Sequence, residues 1–146
     1  MTTRRIGSRD EGSAWAKGTD AAPVVLVVDD DQAVALPIAR YFRGLGWSAD
    51  VASEREEAEA LAAHRRYDLA ILDLHLAPWG GAGGLEVLDE IGETSPSTAV
   101  VMLSGHFSDD AAREAERRGA RAVLAKPQPL PELARLASAL LEAPRG

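Results

Sequence analysis

Val24-Val-Leu-Val-Val-Asp-Asp-Asp31 decides the fold: five consecutive apolar residues end abruptly in three carboxylates. An unbroken apolar run of this length suits a strand covered on both faces, as in a parallel sheet flanked by helices. The pattern recurs along the chain. Asp68-Leu-Ala-Ile-Leu-Asp73 is apolar inside and ends in a carboxylate, Ala99-Val-Val-Met-Leu103 leads into Ser104-Gly105, and Arg121-Ala-Val-Leu-Ala125 leads into Lys126-Pro127. Trp47-Ser-Ala-Asp-Val51 alternates instead, which predicts the edge of the sheet.

Between these strands lie amphipathic stretches at helical spacing, predicting helices over about 32–43, 54–64, 84–92, 109–118 and 131–142. Pro37 interrupts the first, so that helix is expected to kink or start late. Ser53 and Glu56 read as a capping box, Ser108 or Asp109 as an N-cap, and Gly119 as a C-terminal stop. Five βα units from residue 24 to 142 predict a doubly wound α/β fold on a five-stranded parallel sheet. Residues 1–22 have no apolar period and are expected to be a flexible leader, with 23–143 as the domain and 144–146 as a tail.

The whole chain has 146 residues, 46% hydrophobic and 27% charged, with a net charge of −7. That length fits one domain, and that charge argues against direct binding to nucleic acid or to an anionic membrane surface. With no cysteine, disulfides and thiol chemistry are excluded, and a reducing cytoplasm is the expected compartment. Neither a secretion signal nor an apolar run long enough to span a membrane is visible. Of the 16 basic residues only Lys17 and Lys126 are lysines, which makes a lysine at a strand end pointed.

In an open parallel sheet, ligands bind beyond the carboxyl ends of the strands. Right-handed crossovers bring Asp29, Asp30, Asp73, Ser104 and Lys126 to that rim. Clustered carboxylates repel one another and need a cation, and hard oxygen donors suit Mg²⁺. A metal, an ammonium and a hydroxyl together can hold a phosphoryl group, with Asp73 as the carboxylate nucleophile. Asp31 is the spare acid, expected to cap the first helix. The glycines at 80–84 lack Gly-Lys-Ser/Thr and so do not form a phosphate loop of that kind.

Asp29-Asp30, Asp73, Ser104 and Lys126-Pro127 together resemble the receiver domain of two-component response regulators, over about residues 23–143. The resemblance implies strand order 2-1-3-4-5 and phosphorylation of Asp73 by a sensor histidine kinase or a histidine phosphotransfer protein. Asp29, Asp30, Asp73 and the backbone carbonyl of His75 would hold Mg²⁺ or Mn²⁺, while Ser104 and Lys126 would engage the phosphoryl oxygens. His75 and His106 would border the phosphoryl group and modulate its lifetime. A stand-alone receiver of this kind would switch conformation to bind a downstream protein target or would relay phosphate, with a phosphorylation-dependent homodimer as a further expected assembly. It modifies itself and is not an enzyme on a diffusible substrate.

The sequence departs from that pattern in two places. Ala77 stands where receivers usually carry proline, and Pro78 and Gly84-Leu85-Glu86 come late, implying an insertion around Trp79-Gly-Gly-Ala-Gly83. That loop is expected to be mobile, or to meet a partner through Trp79. Val123 replaces the usual aromatic residue, so transmission is expected to run through the loop after strand four or through Phe107. Two other classes stay open. One is a phosphorylation-independent interaction module with a receiver-like fold. The other is a haloacid-dehalogenase-like phosphatase, which needs a second Asp two residues after the first, where this chain has His75.

Overall fold

In the computed structural model, residues 22–75 and 83–142 are described. The expected leader up to residue 21, the loop residues 77–82 with Trp79, and the tail lie outside them. Ten elements alternate along the chain: β1 (Val24–Val28), α1 (Gln32–Gly44), β2 (Ser48–Ala52), α2 (Arg55–His64), β3 (Leu69–Asp73), α3 (Gly83–Thr94), β4 (Ala99–Ser104), α4 (Asp109–Arg117), β5 (Ala122–Ala125) and α5 (Leu130–Glu142). All strands pair in parallel, in the order β2-β1-β3-β4-β5. The doubly wound α/β expectation and its strand order hold, with β2 at an edge as its alternating sequence predicts.

Side-chain alternation explains why the central strands are apolar throughout. Leu26, Val28, Ala70, Leu72, Val100 and Met102 face one way, onto Ala58 of α2, Leu85, Leu88 and Ile91 of α3, and Ala115 of α4. Val25, Val27, Leu69, Ile71, Val101 and Leu103 face the other way, onto Ala35, Ile38 and Phe42 of α1 and Leu133 and Ala137 of α5. Burying both faces makes an alternating polar position unaffordable in β1, β3 and β4.

Three local expectations change. Pro37 neither delays nor splits α1, which starts at Gln32 because Asp31 caps it, accepting from the Ala33 N–H at 3.0 Å. The Ser53–Glu56 capping box does not form. Glu54 is the N-cap residue and makes no side-chain cap bond, while Glu57, at the third helical position, reaches back to the Ser53 N–H at 2.9 Å. Geometry selects Glu57 because its carboxylate is the one on the face toward the incoming chain. Asp68 lies just before β3, and its carboxylate accepts from the Val24 N–H at 2.9 Å, tying the starts of β1 and β3 together. The Ser108 cap on α4 and the left-handed Gly119 after it, at φ 112°, match expectation.

Candidate phosphoryl-acceptor site

The backbone ladder carries on past the strand ends, and this fixes the polar residues there. Asp29 N–H donates to the Ala52 carbonyl at 3.0 Å, Leu74 N–H to Leu103 at 2.9 Å, and Lys126 N–H to Ser104 at 2.9 Å. These bonds hold Asp29, Asp73, Ser104 and Lys126 at one rim although up to 97 positions separate them in sequence. Asp29, Asp30 and Asp73 each present a carboxylate oxygen, all within 4.8 Å of one another. Asp29 and Asp73 are buried, whereas Asp30 is exposed.

Lys126 reaches into the cluster from the end of β5. Its ammonium lies 2.7 Å from Asp29 Oδ2 and 3.4 Å from Asp73 Oδ1, and its peptide bond to Pro127 is cis. Asp29 uses its other oxygen, Oδ1, to accept from the Asp31 N–H at 2.9 Å, so it braces the turn into α1 as well as the lysine. Asp73 Oδ1 accepts from the His75 N–H at 3.2 Å.

Burial pushes the Asp73 carboxyl above the usual carboxylate range, and the negative charge of Asp29 pushes the same way; the His75 N–H and the Lys126 ammonium only partly offset them. Burial also works against the Lys126 charge, yet the hydrogen bond to Asp29 and the charges of Asp73 and Asp29 outweigh it and raise its pKa. One ammonium therefore faces three carboxylates. The excess negative charge, carried on oxygen donors in a partly buried rim, fits a divalent cation of the Mg²⁺ kind.

The model of the response regulator receiver domain matches residues 25–138. The chain belongs to the response regulator receiver family. A response regulator receiver protein of Anaeromyxobacter sp. (strain Fw109-5) is 34% identical over 108 residues, which are 74% of this chain and 44% of that protein. The chain thus matches less than half the length of that relative. A CheY-like receiver domain structure from Methanospirillum hungatei superposes with a TM-score of 0.78, covering 84% of this chain and 95% of that one at 23% identity. At that identity the likeness supports the fold. A Burkholderia pseudomallei response regulator solved with a phosphorylated aspartic acid, a calcium ion and citrate superposes with a TM-score of 0.72, at 27% identity over 81% of this chain and 70% of that one. Among the described residues no helix of the receiver is long and apolar enough to cross a membrane.

Ser104, His75 and His106, the remaining candidate residues, are bonded to one another around the loop after β4. Ser104 is fully buried, and its hydroxyl is engaged within its own loop, donating to the His106 carbonyl at 2.7 Å and accepting from the His106 N–H at 3.1 Å. To reach a phosphoryl oxygen it has to leave the first of these bonds. His75 and His106 are exposed beside the cluster, and His75 Nε2 lies 3.1 Å from the same His106 carbonyl. Val123 and Phe107 are each partly buried against the α2/α3/α4 face. His64, outside the site, is exposed at the end of α2 and bonds the Ala60 carbonyl through Nδ1 at 2.8 Å.

Sequence reasoning missed one part of the site. A Cβ on Gly84, the second residue of α3, would collide with the Asp73 carbonyl oxygen and lie 2.8 Å from Leu74 Cα. Gly84 N–H also donates to the Leu74 carbonyl at 3.1 Å, so α3 is seated directly on the backbone at the end of β3. The receiver pattern singles out Gly84-Leu85-Glu86, but nothing in the spacing says that its glycine rests on the strand backbone.

Proposed function

We propose that the receiver, residues 23–143, accepts a phosphoryl group on Asp73 from the phosphohistidine of a sensor histidine kinase or a histidine phosphotransfer protein. The observation that carries this reading is the Asp73 carboxylate at a buried strand end, 3.4 Å from Lys126 Nζ and grouped with Asp29 and Asp30. Asp29, Asp30, Asp73 and the His75 backbone carbonyl are the candidate ligands for Mg²⁺ or Mn²⁺. A bound divalent ion supplies positive charge to the phosphoryl oxygens during transfer.

The Asp73 carboxylate attacks phosphorus as the bond from phosphorus to the donor imidazole nitrogen breaks, and the imidazole leaves carrying the bonding pair. Lys126 pairs with the phosphoryl oxygens, and the Ser104 hydroxyl turns to donate to one of them. Water later cleaves the acyl phosphate, releasing inorganic phosphate and regenerating the carboxylate. The calcium and phosphorylated aspartate of the Burkholderia relative support this chemistry. Output is proposed to be phosphorylation-dependent binding to a downstream protein, to a second copy of the chain or to a further relay partner. A cytoplasmic setting goes with it, supported by a cysteine-free sequence.

The test is labelling of wild type and Asp73→Asn with a small-molecule phosphodonor and Mg²⁺, read by intact mass. Wild type is expected to gain one phosphoryl group and the variant none; equal labelling overturns the assignment. The same variant probes burial of the charge. Because the Asp73 carboxyl is raised in the fold, the metal-free wild type loses stability as pH rises from about 4 through that raised value. Asp73→Asn removes this burden, so its thermal midpoint should exceed that of wild type by a margin that widens toward neutral pH. His75 and His106 are proposed to set how readily water reaches the acyl phosphate. If neither His75→Ala nor His106→Ala alters its decay, that role is lost.

A further inference from the structure

We propose that the His75 imidazole is a latch on the loop between β4 and α4, holding it through the His106 carbonyl and opposing its displacement when Ser104 turns away. This rests on the phosphoryl reading of the site. Two donors, one at the end of β4 and one just past β3, meet on one oxygen: the Ser104 hydroxyl at 2.7 Å and His75 Nε2 at 3.1 Å. A carbonyl oxygen only accepts and has two lone pairs, so both bonds fit and the hydrogen of His75 sits on Nε2. The backbone of the same His75 is bonded to Asp73 Oδ1. Asp73, His75, the His106 carbonyl and Ser104 therefore form one connected path from the acceptor carboxylate to the loop.

The two donors have opposite fates. Ser104 gives up the His106 carbonyl when its hydroxyl moves to a phosphoryl oxygen, whereas His75 has no reason to leave. With the imidazole still in place, that oxygen keeps a donor and the loop keeps its position. The loop also carries Phe107, half-buried against the α2/α3/α4 face on which Val123 packs too. With valine in place of a ring at 123, loop displacement is the available route from the site to that face. His75 is thus a positioning residue, which sets how much of the phosphorylated chain has a displaced loop.

The experiment uses the full ¹⁵N,¹³C-labelled chain as wild type, His75→Leu and His75→Gln. Leucine fills the space without a donor, and the glutamine amide can place an N–H near the position of Nε2. His75 is exposed, so neither change disturbs the core. Beryllofluoride with Mg²⁺ serves as the phosphoryl stand-in, and the Phe107 amide resonance reports the loop. Loss of one net hydrogen bond is expected to lower the beryllofluoride midpoint about two- to tenfold in His75→Leu, with His75→Gln returning toward wild type. Identical midpoints for wild type and His75→Leu, or equal shifts for leucine and glutamine, overturn the latch. No beryllofluoride response in any variant overturns the phosphoryl reading, and the control over switching with it. The His106 carbonyl shift without beryllofluoride separates these failures, since it changes in His75→Leu whenever the imidazole bond exists.

Discussion

Lys126→Ala is expected to slow phosphoryl labelling of Asp73 by about 10²- to 10³-fold, the scale for removing one preorganised group that stabilises developing charge. It should also destabilise the metal-free chain. The ammonium sits 2.7 Å from Asp29 and 3.4 Å from Asp73, both buried, and stripping the partner from a buried charge costs about 3–5 kcal/mol. Mg²⁺ should recover part of that loss, because a divalent ion and the lysine compensate the same carboxylates. Lys126→Arg separates the two effects. It keeps the charge but replaces a compact ammonium with a planar fork, so stability should largely return while labelling stays slow. Labelling of Lys126→Ala at the wild-type rate would remove the lysine from the chemistry.

Gly84→Ala is expected to destabilise the fold by about 3 kcal/mol, the upper end of the range for overpacking, and to slow labelling by about 10²-fold. Helix propensity alone points the other way, favouring alanine by about 1 kcal/mol. Collision wins because the added methyl meets backbone, the Asp73 carbonyl and Leu74 Cα, which no rotamer change can move aside. Either α3 lifts or the acceptor strand shifts. Gly92→Ala in the same helix is the control, since nothing lies within 4 Å of its added Cβ, and it should gain about 1 kcal/mol. Urea unfolding of both variants checks the pair. Equal stability of Gly84→Ala and Gly92→Ala would refute the close approach.

Much of the fold was legible in the residues. The all-apolar runs at 24–28, 69–72 and 99–103 announce strands buried on both faces, and every observed element begins and ends within two residues of its expected bounds. Strand-end residues were legible because a carboxylate, hydroxyl or lysine after such a run stands out. Capping was less so. Ser53 has glutamates at 54, 56 and 57, and only the entry angle of the chain selects Glu57. Pro37 misled as to where α1 starts: its local steric penalty is set against the burial of Ala35, Ile38, Ala39 and Phe42 on one face of α1, and α1 still begins at Gln32.

By itself the sequence determined the class of fold and the order of its units, and it singled out the acids, hydroxyl and lysine of the candidate site. Periodicity and abrupt polarity changes are properties of a single stretch of chain, so they can be read along it. Only the tertiary structure decided that Ser104 is held in its own loop, that His75 shares the His106 carbonyl with it, and that Gly84 lies on the Asp73 backbone. Each is a contact between segments whose meeting depends on how two strands and a helix pack. Close contact of that kind has no signature in the spacing of the residues that make it.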